Sequence, residues 1–123
     1  MRAWIGKTLF GVGVIHSVFG FVFMRSTLAV LWSEGLFNTV NGQPRREATF
    51  WFLYTGFLLL LLGALIDRLE KSGFGIPPFL AWSFLALTVI GGVVMPISGL
   101  WLLVPPLVGM FVRARVFKNG ESA

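Results

Sequence analysis

The chain has 123 residues, of which 56% are hydrophobic and 12% are charged. A soluble domain is about a quarter charged, so this composition excludes an ordinary soluble domain and predicts a protein dissolved in a bilayer. There is no cysteine, which excludes disulfides, thiolate nucleophiles and cysteine metal sites. The net charge of +5 comes from basic residues scattered at segment ends, a pattern that predicts no nucleic-acid partner. The length predicts one domain over residues 1–123.

Four stretches are apolar enough to cross a bilayer, which takes about 20 residues. They run over residues 4–24, 48–66, 78–96 and 100–112. The first is long enough to be a retained helix and not a signal peptide. The segment "VPPL" at 104–107 must kink the last stretch or end it early, because proline removes a helix donor. Pro96 and Gly99 predict a tight hairpin between the last two stretches. The predicted fold class is all-α, an integral membrane four-helix bundle.

Basic residues predict the orientation, because lysine and arginine concentrate in cytoplasmic loops. If the N-terminus is inside, three basic residues lie outside: Arg25, Arg45 and Arg46. Seven then lie inside: Arg2, Lys7, Arg68, Lys71, Arg113, Arg115 and Lys118. Both termini are therefore expected in the cytoplasm.

The first loop, residues 26–46, is too polar to span a membrane but is rich in apolar residues. Its part from Thr27 to Phe37 reads as an amphipathic segment that lies on the membrane interface between the first two helices. This segment is either a lipid-facing linker or a lid over a pocket. The sequence leaves both interpretations open.

The only histidine, His16, lies inside the first predicted span. Gly6, Gly13 and Gly20 recur there every seven residues, a stripe of small residues that favours close helix packing. His16 is three residues after Gly13 and four before Gly20, so it lies on the same stripe. The imidazole is therefore predicted to point into the bundle, roughly 13 Å below Arg25 and near the middle of the membrane.

The second predicted span carries polar and aromatic residues on one face. Glu47, Trp51 and Tyr54 follow an i, i+4, i+7 pattern, and Thr55 borders them. Tyr54 or Thr55 is predicted to hydrogen-bond to His16, because both lie at about the same depth.

Two further pairs share faces. Gly56 and Gly63 lie seven residues apart on another side of the second span and predict a packing seam. Glu34 and Asn38 lie four apart in the interfacial segment. The candidate site, open towards the outer side, therefore assigns catalytic roles to His16, Glu34 and Glu47, and ligand-binding roles to Asn38, Trp51, Tyr54 and Thr55.

An ionisable side chain inside a membrane usually marks a functional site. The alternative is that His16 is a neutral packing residue and that Glu47 pairs with an arginine at a helix N-terminus. One histidine without cysteine is a poor metal ligand set, so neither a metal nor another cofactor is expected.

Three stretches, "GVIHSVFG", "EGLFNTV" and "REATFWFLYTGFLLLLLG", carry a resemblance to a bacterial domain-of-unknown-function family of small four-helix membrane proteins. The resemblance covers most of the chain and implies a bacterial inner membrane, but it implies no activity.

The architecture is also similar to the emopamil-binding-protein (EXPERA) superfamily of sterol isomerases and sterol-binding receptors. That similarity implies roles around an apolar ligand for His16, Glu34, Glu47 and Trp51, although no contiguous EXPERA motif is present. Small multidrug transporters have a similar length, but they carry a glutamate in the first helix where this chain has His16.

The favoured function is an integral membrane protein that binds a lipid-like or isoprenoid ligand in an intramembrane pocket. As an enzyme it would catalyse a proton-transfer isomerisation or cyclisation, with His16 as the acid or base. One alternative is a small dimeric proton-coupled transporter or channel in which His16 is a protonation switch. Another is a structural membrane subunit. The expected partners are membrane lipids, an apolar small molecule and, for the transporter, a second copy of the chain.

Overall fold

A computed structural model describes residues 3–73 and 75–121, with the side chains of the last helix as far as Ala114. The described chain is all-helical, which confirms the all-α part of the predicted class. Its elements are α1 (Ile5–Phe23), α2 (Arg25–Ser33), α3 (Pro44–Ser72), α4 (Pro78–Val94), a 3₁₀ helix (Gly99–Leu103) and α5 (Val104–Glu121). Arg2, used above for the orientation, lies outside the described residues, as do the side chains of Arg115 and Lys118.

Two helices are long and apolar enough to cross a membrane, namely α1 with 19 residues and α3 with 29. Helix α4 has 17 residues, and it and the segment Gly99–Ala114 are apolar but shorter. At 1.5 Å per residue α4 is roughly 25 Å long, slightly less than the bilayer core of about 30 Å. Length and composition therefore support two of the four predicted spans directly.

The interfacial segment predicted at 27–37 is part helix and part turn. Helix α2 begins earlier, at Arg25, with Met24 alone separating it from α1, and it ends at Ser33. Gly35 and Asn38 then have positive φ angles of 87° and 50°, a left-handed conformation that ends a helix. The segment is thus a short helix that follows α1 without a loop, and then a series of turns.

Helix α3 is longer than the predicted span at both ends, because the prediction counted only its apolar part. Pro44 stands in the first turn, where its missing N–H costs nothing. At the other end α3 continues past Ile66 through charged residues to Ser72. Gly73, with a φ of 78°, then ends it as a left-handed C-cap.

The hairpin between α4 and α5 is present as predicted, with a 3₁₀ helix at its turn. The Trp101 Nε1–H donates to the carbonyl of Pro96 at 2.8 Å and the Ser98 hydroxyl to that of Met95 at 2.8 Å. The fourth stretch does not end early at "VPPL" but changes there from the 3₁₀ helix to α5, which begins at Val104. Its two prolines fall in the first turn, where helix N–H groups have no partner in the helix.

Helices α1 and α3 pack closely along the two predicted glycine stripes. A Cβ atom at Gly6 would collide with the backbone of Asp67, and one at Gly63 would lie 2.5 Å from the backbone nitrogen of Phe10. A Cβ at Gly13 would lie 3.0 Å from the backbone of α3. The packing seam predicted from these spacings is therefore confirmed.

The hydrophobic core lies at the end of the molecule where α1 begins. It consists of Ile5, Leu9, Ile66, Ile76, Ala81, Phe84, Leu107 and Met110. Helix α1 lies between α3 and α5, and α4 packs on the other side of α5. No Cα atom of α3 lies within 8 Å of one in α4. The helices therefore lie in the order α3, α1, α5 and α4, with residues of all four in the core.

Candidate functional site

His16 contacts the neighbouring helix, as its place on the glycine stripe predicted. Its Nε2 atom lies 2.8 Å from the backbone carbonyl of Phe52, and its ring stacks on that of Phe52 with the centroids 3.9 Å apart. The predicted partners, Tyr54 and Thr55, were wrong. Gly56 faces α1 without a side chain, and the short distance between the helices brings the imidazole within reach of the backbone.

The hydrogen bond determines the state of the His16 ring. A backbone carbonyl only accepts, so Nε2 must carry the proton. In a neutral imidazole the lone pair then lies on Nδ1. The Cδ2 edge of the ring faces Gly56, where an added Cβ would be 3.0 Å away. Since Nδ1 lies on the opposite edge of the ring, it points away from this contact and offers an acceptor.

Ser17, next along α1, is buried with 8% of its surface exposed. Its hydroxyl oxygen has no hydrogen-bond partner among the described residues and lies where a Cβ at Gly56 would approach to 2.5 Å. A residue with a side chain at position 56 would therefore collide with the Ser17 hydroxyl.

The apolar stripes that build the core continue along both helices to His16. On α1, Leu9 belongs to the core and His16 follows it by seven residues, on nearly the same side of the helix. On α3, Leu59 packs against the core and Phe52 precedes it by seven residues. His16 therefore lies just beyond the end of the core cluster.

Aromatic rings surround His16 beyond the core. The ring of Phe19 lies 6.0 Å from that of Phe52 and stacks on Phe23 at 4.1 Å. Phe19 is 49% exposed and Phe23 is 68% exposed, so the described helices leave this surface open. Thr55, three residues after Phe52, is exposed on the same flank of α3. We call the surface formed by these five residues the aromatic cleft.

The predicted carboxylates lie elsewhere: Glu34 is at the end of α2, in the loop before α3, and Glu47 is in the first turn of α3. Arg46 donates to both oxygens of Glu34, at 2.6 and 3.1 Å, and to the carbonyl of Thr39 at 2.8 Å. Glu47 accepts from the backbone N–H of Gly42 at 3.0 Å. These contacts fasten the loop to the N-terminus of α3.

The Arg46 hydrogen bond lowers the pKa of Glu34; burial opposes the shift and the charge of Arg46 adds to it. Asn38, also predicted for the site, accepts from the side chain of Asn41 at 2.9 Å. Both Glu34 and Asn38 therefore act within the loop.

Trp51 and Tyr54 lie on the side of α3 that faces away from α1. Their rings are 5.8 Å apart, and both contact Phe50, at 5.3 and 5.4 Å. Trp51 is 60% exposed. The predicted shared face is real, but Gly56 and not Trp51 faces α1. The seven predicted site residues thus fall into three groups: His16 with Thr55 at the cleft, the loop group of Glu34, Asn38 and Glu47, and the outward pair of Trp51 and Tyr54.

A buried ion pair, which the sequence did not predict, lies at the end of the molecule where α1 begins. Glu70, with 1% of its side chain exposed, accepts from the backbone N–H groups of Trp4 at 3.2 Å and Gly6 at 2.7 Å. Arg113 of α5 lies 3.3 Å from the same carboxylate. Helix α1 starts with neither a capping side chain nor an acid in its first turn. From the sequence, this absence could have indicated that a side chain of another element must accept from the first N–H groups of α1.

Comparison with protein families finds a match to this chain. No curated protein and no solved structure matches the chain. A family of unknown function, DUF6463, matches residues 1–116, which is nearly the whole of the 123-residue chain. The predicted resemblance to an uncharacterised domain-of-unknown-function family is thereby confirmed, and the chain belongs to the DUF6463 family of unknown function.

Proposed function

We propose that the chain is an integral membrane protein that binds a lipid-like or isoprenoid molecule in the aromatic cleft. In this proposal α1, α3, α4 and the segment 99–112 form a membrane-embedded four-helix bundle. Two helices of spanning length support it, as do the many exposed apolar side chains of all four segments. Large exposed apolar surfaces are unusual on a soluble monomer but are expected on a surface that contacts lipid.

The proposed orientation has both termini in the cytoplasm, in the inner membrane of a bacterium. The start of α1 and the later part of α5 lie together, since a Cβ at Gly109 would lie 2.6 Å from Trp4. Lys7, Arg68 and Arg113 also lie at this end of the helices. That distribution is the one expected of a cytoplasmic face.

The observation that carries the binding proposal is the hydrogen bond from His16 to Phe52. It leaves Nδ1 as an acceptor beside exposed aromatic rings and beyond the reach of the core. An apolar molecule with a hydroxyl group fits this arrangement, because the hydroxyl would donate to Nδ1 while the hydrocarbon lies on Phe19 and Phe23. Binding is favoured over catalysis, since Glu34 pairs with Arg46 and Glu47 accepts from Gly42, so neither supplies a second acid or base beside His16.

Geranylgeraniol and its methyl ether provide a matched pair of probes, because the ether has the same chain but no donor. With the protein in nanodiscs, native mass spectrometry would measure the retention of each probe. A hydrogen bond contributes about 0.5–1.5 kcal/mol, so the alcohol should bind roughly 2- to 12-fold more tightly. The His16→Ala variant should abolish this difference, and Phe19→Ala should weaken both probes alike.

Trp51→Ala is the matched control, because it removes an aromatic ring of similar exposure from the opposite side of α3. It should leave the retention of both probes unchanged. If Trp51→Ala weakens binding while Phe19→Ala does not, the ligand lies on the outward face. Equal retention of the alcohol and the ether by the unmodified protein would rule out the acceptor role of His16.

A further inference from the structure

A concave surface lies at the end of the molecule where α1 begins and α3 ends. It is a groove of about 360 Å³ along the α1–α3 crossing, at the lower end of the range of roughly 300–1,000 Å³ for small-molecule sites. Ala64 lines it on α3, whereas the core residue Ile66 is two positions further on and about 200° round the helix. The groove therefore faces away from the core.

Positive charge dominates this groove. Lys7 on α1 and Arg68 on α3 both line it, and both are exposed. Asp67 also lines it, but its carboxylate lies 2.6 Å from the ammonium group of Lys71. With Asp67 paired to Lys71 outside the groove, Lys7 and Arg68 remain as two positive charges along it, so the groove is suited to an anion.

The groove also has an apolar part, and it lies deeper along both helices. Phe10 follows Lys7 by three residues on α1, and Ala64 precedes Arg68 by four residues on antiparallel α3. Each helix thus places a cation near its end and an apolar residue one turn further in. Gly6 and Gly63 keep the two helices close beneath the groove. This order, with positive charge at the helix ends and apolar surface further in, complements an anionic amphiphile, which has a negative headgroup and an apolar tail.

We propose that this groove binds an anionic glycerophospholipid with a phosphodiester headgroup, such as phosphatidylglycerol. Lys7 and Arg68 hold the phosphate, and the first part of an acyl chain lies along Phe10 and Ala64. The net charge favours a lipid with one negative charge over a zwitterionic one. This inference rests on the membrane location proposed above, but it is independent of the ligand at His16.

The test uses the full chain in nanodiscs of phosphatidylcholine that contain equal small fractions of phosphatidylglycerol and phosphatidylethanolamine. Native mass spectrometry then measures which lipid stays bound after release from the disc. Each basic side chain near an anionic lipid is worth roughly a fivefold change in binding. The Lys7→Ala/Arg68→Ala variant should therefore lose roughly 30-fold in phosphatidylglycerol retention.

The control is Arg25→Ala/Arg45→Ala, which removes the same charge from exposed positions at the start of α2 and of α3, at the opposite end of the α1–α3 pair. It should retain phosphatidylglycerol as the unmodified chain does. Equal losses in both double variants, or no preference for phosphatidylglycerol in the unmodified chain, would overturn the proposal. So would competition by millimolar glycerol phosphate, because the groove would then bind a free phosphate. Failure of the chain to enter nanodiscs would instead refute the membrane location.

Discussion

The glycine seam between α1 and α3 makes a quantitative prediction at Gly63. An alanine Cβ there would lie 2.5 Å from the backbone nitrogen and 2.8 Å from the Cα of Phe10. Ordinary carbon contacts are about 3.5–4.0 Å, so the two helices must separate locally by about 1 Å. A backbone atom cannot rotate aside, and overpacking of this kind costs about 1–3 kcal/mol.

Gly11→Ala is the matched control, because an added Cβ at Gly11 meets no atom within 4 Å. Both variants add the same methyl group to a helix interior, so the gain in helix propensity, roughly 1 kcal/mol, cancels in their comparison. Gly63→Ala should therefore be about 1–3 kcal/mol less stable than Gly11→Ala in reversible unfolding in mixed micelles. Equal stability of the two variants would show that the helices do not cross at Gly63.

Three further outcomes follow from single contacts. Nitrogen NMR of histidine-labelled protein reports on His16 alone and should show the proton on Nε2; a proton on Nδ1 of the neutral ring would contradict the bond to Phe52. The pKa of Glu34 is lowered in the folded chain, so its contribution to stability is present above its unfolded pKa and is lost as the pH falls through the folded value. Proteolysis of the loop should then accelerate in acid, and Glu34→Gln should be cleaved fast at every pH. Glu70→Ala removes the carboxylate that accepts from the N–H groups of Trp4 and Gly6 and pairs with Arg113 and should cost about 1–3 kcal/mol in unfolding free energy, whereas a loss below about 1 kcal/mol would show that these groups are solvated.

The local pattern predicted the contact between α1 and α3, because a seven-residue spacing of glycines directly encodes a packing face. It could not predict which atom of α3 would bind His16. The sequence offers side chains as partners, whereas the structure uses the carbonyl of Phe52. That carbonyl becomes reachable only because Gly56 brings the helices close, and such a distance is a property of the packed pair.

The loop residues show a second limit of the sequence. Glu34 and Asn38 share a face only if the helix continues through them, and the left-handed Gly35 ends it before that. Glu34 then meets Arg46, twelve residues away. The spacing of residues predicts which side chains share a face only within a continuous helix. A residue with a positive φ ends the helix, so the spacing does not predict shared faces beyond it.

The two proposed sites use opposite flanks of the same helix pair. The aromatic cleft lies on the flank of the pair that carries Leu9 and His16 of α1. The groove lies on the other flank, which carries Lys7 of α1 and Ala64 of α3. A substitution at the shared seam should therefore disturb both sites, because the seam sets the distance between their walls. Gly63 lines the groove itself, whereas Gly56 contacts His16. Gly63→Ala should thus reduce phosphatidylglycerol retention more than it reduces the preference for the alcohol probe over the ether. Gly56→Ala should reduce the alcohol preference more than phosphatidylglycerol retention. If either substitution changes both readouts equally, the two sites are not independent. A local separation of the helices would then extend along the whole length of α1.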